Sequence, residues 1–334
     1  MGLAHKHTIE QNHLRYNYSI FDGVRSFNQF VDQEPLTANN LGIWETLLIN
    51  AEGDIAEGTE FYGDPQPKGL EELEKHDRFL GMELVQKIRP LVTRHLHQYL
   101  NKLSNNLVKL PRLAYNDRGL GVFSFERAAM GMNLQHRINL STRQNLLHSQ
   151  LGVELNHRRP STDTKKVFAH FENKQVALPS IRIYIMAGAP AYVTGREMLY
   201  VGLACGELVE FLERRGVPVE VNVIIGAFYN GAINMGIVTV KQFRNKLDKN
   251  QLLLMSSDPR YFRHRGFKAI ISIYNHFGIQ APSHLGELTE DMGQKFVSLL
   301  DPYAFVFEQK YSLDEAVSEV IKLLEEYEKN RTTI

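Results

Sequence analysis

From Leu178 onward the hydrophobic pattern switches regularly between two periods. Ile181, Ile183 and Ile185 recur at every second position, which predicts a strand over 181–186. Leu199, Leu203, Leu208 and Leu212 then line one side of a helix from about Gly195 to Arg215, and Gly216 supplies a left-handed cap. "VPVEVNVIIGAFY" is nearly all apolar and predicts a central strand. "INMGIVTVKQF" predicts another, and only "YNGA" (229–232) lies between them. So short a turn makes the two antiparallel, because a parallel return needs a crossover. A helical stretch to about Phe277 and a strand at "YAFVF" (303–307) follow. The last helix starts at Ser312, with Glu315 completing a capping box.

Residues 1–140 are less regular and predict an α+β region. Residues 1–15 are polar and His-rich and read as a frayed arm. "SFNQFVDQE" spaces Phe27, Phe30 and Val31 as a short helix. "GTEFYGDPQPKG" reads as a strand end and a Pro/Gly turn. A helical pattern runs from Leu70 to about Leu107, with Pro90 expected to kink or split it. "RLAYNDRGLGVFSF" reads as a hairpin turning at Asn116–Gly119. Residues 141–178 lose periodicity and gather "HRRPSTDTKK", which predicts a linker or exposed insertion. Residues 179–330 are then an α/β domain. Its strands Ile181–Ala187, Val219–Ala227 and Ile233–Phe243 are expected in one sheet.

Composition changes this picture little. At 334 residues the chain holds 43% hydrophobic and 23% charged residues, the balance of a folded globular protein. Its formal charge is +0, so any affinity for nucleic acid or membrane has to be local. One cysteine, Cys205, excludes an internal disulfide framework and fits a reducing cytoplasm. No apolar run of membrane-spanning length occurs, the start lacks the apolar core of a signal peptide, and Lys6 stands where a myristoylation signal needs Ser or Thr.

Three stretches resemble a known family. "IRIYIMAGAPAYVTGREMLYVGLACGELVEFLERRGVPVEVNVIIG" is similar to the first strand, helix and second strand of a phage- and mobile-element-associated family of unknown function with a von Willebrand factor A-like half. "SSDPRYFRHRGFKAI" resembles its Pro-aromatic-Arg-Arg-x-Gly-Phe segment, with His264 set between Arg263 and Arg265. "EFYGDPQPKGLEEL" fits its N-terminal half. The resemblance implies a von Willebrand A-like (Rossmannoid) sheet with one antiparallel edge strand, in a phage or mobile-element setting, and the host cytoplasm if phage-encoded. It carries no chemistry with it. A metal-binding domain of that class presents Asp-x-Ser-x-Ser after its first strand as hard oxygen ligands. Here Met186, Gly188 and Pro190 occupy those positions, with Thr194 the one nearby hydroxyl, so no metal and no cofactor are expected.

The strongest local signal is basic. Lys241, Arg244, Lys246, Arg260, Arg263, Arg265 and Lys268 are interleaved with Tyr261, Phe262 and Phe267, a pattern that suits phosphates and unpaired bases. That reading needs Arg260, Arg263 and Arg265 exposed on one side and Tyr261 free to stack. The competing reading is a surface face whose aromatics point inward. His95 and His97 are two apart on a helix and cannot share an ion, while His5 and His7 lie in the arm. No nucleophile elbow or phosphate loop occurs, and Cys205 sits mid-helix between Ala204 and Gly206. Glu207, Glu210 and Glu213 read as an exposed stripe. The sequence therefore favours a binding or scaffold protein, with a protein partner or self-association, over an enzyme. Single-stranded DNA or RNA binding through 241–268 is the alternative.

Overall fold

The computed structural model describes residues 4–74, 78–107, 112–116, 121–129, 166–172, 180–283, 285 and 291–332. These fall into two compact units, residues 1–109 with 178–334, and residues 110–177.

The first unit is built on a six-stranded mixed sheet of Rossmann-like α/β type. Its strands are β1 (His7–Gln11), β2 (Leu14–Phe21), β6 (Ile181–Met186), β7 (Val219–Tyr229), β8 (Ala232–Lys241) and β9 (Phe305–Phe307). The order across the sheet is β1-β2-β8-β7-β6-β9. β6 is parallel to both β7 and β9, and β7 is antiparallel to β8, as the short turn required. Asn230 and Gly231 make that turn with φ of 49° and 74°, the positive pair a tight hairpin needs.

The N-terminal residues depart from expectation. Residues 7–11 are a strand rather than a frayed arm, and β2 pairs in parallel with β8. β8 is therefore interior, and the antiparallel edge of the sheet is β1. Two bonds explain why this segment is held: Asn17 Nδ2 donates to Asn234 Oδ1 at 2.9 Å, and Thr8 Oγ1 donates to Asn17 Oδ1 at 3.0 Å. The Asn pair is buried, so a register slip would strand amides away from water. A division at residues 1–140 would cut this sheet; the residues joined to it end at 109.

Side chains of β6 alternate between two cores. Ile181, Ile183 and Ile185 pack with α4 (Met82–Leu107), α5 (Gly195–Glu213) and α9 (Leu313–Thr332). Tyr184 and Met186 face the other way, toward Phe296 of α8 (Met292–Leu300). α1 (Val24–Gln33), α2 (Ala38–Glu57), α3 (Leu70–Glu74), α6 (Lys249–Ser257) and α7 (Phe267–His276) complete this unit. Pro90 does not split α4. It lies on the exposed side of the helix. Ser312 and Glu315 form the expected cap, with Ser312 Oγ donating to Glu315 at 2.8 Å.

The second unit contains a three-stranded sheet in the order β3-β5-β4, from β3 (Arg112–Asn116), β4 (Val122–Phe123) and β5 (Phe168–Glu172). β3 and β4 do not pair as a hairpin; β5 lies between them and is antiparallel to both. The expected turn at 117–119 and most of the 141–178 linker lie outside the described residues.

Helices α5 and α6 cross closely at Gly202. A Cβ there would stand 2.8 Å from Ser256 Oγ and closer still to Ser257 Oγ. Gly202→Ala should therefore cost about 1–3 kcal/mol by overpacking, read as a lower urea midpoint. Adding Ser257→Ala should recover part of that loss. Equal midpoints for wild type and Gly202→Ala would contradict the close crossing.

Candidate functional site

In open α/β sheets, ligands bind beyond the carboxyl ends of parallel strands. Here that place is the loop after β6, residues 187–194. Gly188 has φ of 126° and lies against the Phe262 ring, where a Cβ would stand 2.5 Å from the ring edge. Thr194 caps α5: its N–H and hydroxyl donate to Glu197 at 2.7 and 2.9 Å. The Thr194 hydroxyl is thus spent on a helix end.

The loop is fastened by Arg263. Its Nη2 donates to the carbonyls of Pro190 and Val193, both at 2.8 Å, and Nη1 donates to the Phe61 carbonyl. The guanidinium also stacks over the Phe61 ring at 4.1 Å. Arg263 is only 2% exposed. Burial pulls its pKa down to about 10, which leaves it charged at neutral pH. Asp54 acts on it through space, behind Tyr62 and Tyr311. The backbone of this loop thus holds a guanidinium.

Arg263 can reach inward because residues Tyr261–Gly266 form a π-helix. Its wider turn brings Tyr261, Phe262, Arg263 and His264 into the interior together, and such segments recur at functional sites. Two cavities flank the anchor. One, of about 280 Å³, is lined by Asp54, Thr59, Glu60, Phe61 and the loop tip Ala191–Thr194. The other, of about 130 Å³, is lined by Trp44, Asp54, Phe61, Tyr62, His264 and Phe267 among others. Burial, then the charges of Lys268 and Arg265, push His264 down to about 4, so it is neutral at physiological pH. Neither of its ring nitrogens has a hydrogen-bond partner. Burial also raises the carboxyl of Asp54, with Glu57 adding to the shift.

The remaining basic residues scatter. Lys241 is buried, its Nζ bonded to the Val219 carbonyl at 2.7 Å and paired with Glu213. Arg260 is buried, donates to the Pro65 carbonyl and approaches Glu72 at 3.9 Å. Arg265 pairs with Asp32 at 2.7 Å, and the fully buried Tyr261 donates to Asn28 at 2.9 Å. Lys268 lies 5.7 Å from the Trp44 ring centre. Of these seven cations, Arg244 and Lys246 alone stand exposed. The exposed arginine face with Tyr261 free to stack is therefore absent, because Arg260, Arg263 and Arg265 bond residues of the N-terminal segment. Nor is the glutamate stripe solvated: Glu207 pairs with Arg89 at 2.8 Å, and Glu210 with Lys249 at 2.7 Å. Cys205 is buried, and burial raises its thiol pKa. Among the described residues no group of three or more His, Cys, Asp or Glu is placed to hold a metal.

A family model described as "Domain of unknown function (DUF7192)" matches residues 162–330, half of the chain. The chain belongs to the DUF7192 family. That span carries the strand-end loop and Arg263, whereas Trp44, Asp54 and Phe61, which complete the two cavities, precede it. The DUF7192 residues and the N-terminal segment thus build the site jointly. No curated protein and no solved structure matches the chain.

Sequence reasoning missed Trp44, Asp54 and Phe61, which lie in stretches without a chemical motif. It also passed over Asp258, which is 5% exposed and accepts from the Arg260 N–H at 2.9 Å. Burial raises its pKa to about 7, against the lowering effect of that bond and of the Arg260 charge.

Two outcomes follow from this geometry. Arg263→Lys keeps the charge and loses the fork, leaving carbonyls of Phe61, Pro190 or Val193 without a donor. It should destabilise by about 2 kcal/mol or more, with faster amide exchange confined first to residues 187–194; unchanged exchange there would refute the anchoring role. For Asp258, the folded carboxyl holds its proton to higher pH than the unfolded one. Stability should be intact below pH 4 and fall as pH rises toward 7. Asp258→Asn keeps the acceptor and should melt higher than wild type at pH 8 but not at pH 4. Parallel melting-pH curves would refute the shift.

Proposed function

We propose that this DUF7192 protein is a non-catalytic binding or scaffold protein, its sheet a von Willebrand A-like domain without a metal site. The observation that carries this reading is Arg263. Two carbonyls of the strand-end loop already accept from an internal cation, which disfavours a second cation there and leaves the cleft beside it for a polypeptide. Its rim suits that use: Tyr192 is 83% exposed at the loop tip, facing a lining that includes the acids Asp54 and Glu60. Such a rim favours a basic protein segment, supplied by a partner or by a second copy of the chain. The resemblance to phage- and mobile-element proteins suggests the setting, and with it the cytoplasm of a host. Among the described residues no helix is long and apolar enough to cross a membrane.

Two measurements test this. Mg²⁺, Mn²⁺ or Ca²⁺ should leave the melting temperature unchanged, since a ligand that prefers the folded state must raise it; a concentration-dependent rise of several degrees overturns the metal-free reading. Lys/Arg-bearing model peptides should bind in fluorescence anisotropy and lose binding in Glu60→Lys and Tyr192→Ala, both surface changes that spare the melting temperature. Peptide capture that ignores both substitutions places the partner elsewhere.

A further inference from the structure

The chain's zero net charge conceals a segregation. Residues 110–177 carry ten Lys and Arg against five Asp and Glu, and the rest of the chain carries the opposite imbalance, 28 against 33. The same unit displays aromatic rings to solvent. Phe125 is 81% exposed and Phe123 is 41% exposed. Phe123 and Phe168 stand opposite each other in the β4–β5 register, with ring centres 5.5 Å apart and edge to face. Phe125 meets Phe123 edge-on at 5.0 Å. In the same unit Arg127 lays its guanidinium on the Tyr115 ring at 3.7 Å, and Lys166 is exposed just before β5.

Exposed phenylalanines have no solvent-facing role of their own. A cluster of them on a small sheet in a strongly basic unit is complementary to one chemistry, a polyanion with unpaired flat rings. A protein partner would satisfy the rings and leave the positive excess unanswered. A duplex would answer the charge and keep its bases stacked inside. We propose that the unit formed by residues 110–177 binds single-stranded nucleic acid, stacking bases on Phe123 and Phe125 and meeting phosphates with Arg127 and Lys166. This site is separate from segment 241–268, whose arginines at 260, 263 and 265 are committed to internal bonds, and does not depend on the groove reading above.

The test uses the full chain with fluorescein-labelled oligo-dT and oligo-U at 50 and 200 mM salt. Binding should be present at 50 mM and weaken at 200 mM, and a duplex of the same length should bind less tightly. Phe125→Ala with Phe123→Ala should weaken binding at least about fivefold at both salts without changing the salt slope, as the removal of stacking requires. Phe125→Trp should preserve it, which separates stacking from a folding defect. Arg127→Ala and Lys166→Ala should instead flatten the slope by about 0.7 for each phosphate that is no longer neutralised. No binding of single strands at 50 mM overturns the proposal. Binding that survives the Phe pair but disappears in Arg244→Ala/Lys246→Ala also overturns it, by assigning the interface to the other segment. Self-association that depends on Phe125, with no affinity for either oligonucleotide, assigns the patch to a protein partner and overturns it as well.

Discussion

The first unit depends on one buried cation. Among the described residues Arg263 has no carboxylate at ion-pair distance and instead gathers three backbone carbonyls from two separate parts of the chain. A planar guanidinium can do this because its donors diverge in a fixed plane, while its faces accept an aromatic ring such as Phe61. A buried charge is costly unless hydrogen-bonded, and here Nη1 and Nη2 are bonded while Nε has no partner among the described residues. The arrangement therefore enforces itself: if the 3₁₀ turn Glu60–Tyr62 or the loop after β6 moved away, the charge would be left unsolvated. Phe61, pinned in this way, lines both cavities.

Around this anchor, other cations act as struts. Lys241 reaches from the end of β8 to Glu213 on α5, and Arg89 and Lys249 bracket the same helix from α4 and α6. The exposed members of these pairs contribute little each. Lys241 differs, because its ammonium is enclosed and loses its compensation if Glu213 or the Val219 carbonyl is displaced. Asp258 works from the opposite side, as an acid whose burial raises its pKa to about 7, so that it keeps its proton well above the usual carboxylate range. The interior thus manages these charged groups by pairing for Lys241, carbonyl bonds for Arg263 and proton retention for Asp258.

Strand and helix periods made β6, α5, β7, β8 and the last helix legible in the sequence, since each follows a repeat that burial imposes. The direction of the 241–268 charges was not legible. Arginines interleaved with aromatics mark either a surface that receives phosphates or a buried π-helix whose cations hold carbonyls, and residue type does not separate the two. β2 was legible in part: Leu14, Tyr16, Tyr18 and Ile20 alternate, but its polar surroundings masked the period. Its partner β8 lies more than two hundred residues away, and no local pattern encodes so distant a pairing. The same holds for β5, whose insertion between β3 and β4 overrode the hairpin that their spacing suggested. The aromatic and basic content of residues 110–177 was readable, but its sorting from the rest of the chain emerged only with the division into units.

The pairing of β2 with β8 has a consequence for how the protein is made. The strand at residues 14–21 leaves the ribosome before its neighbour at residues 232–241, which follows only after the whole 110–177 unit has been synthesised. Until then the apolar side of β2 and the helix behind it lack the surface they finally cover. Closing so long a loop is slow relative to local pairing. At ordinary elongation rates of about 5–20 residues per second, that wait lasts on the order of ten seconds or more. The nascent chain therefore passes through a stage in which one unit can be finished while the other, begun first, remains open to chaperones and proteases.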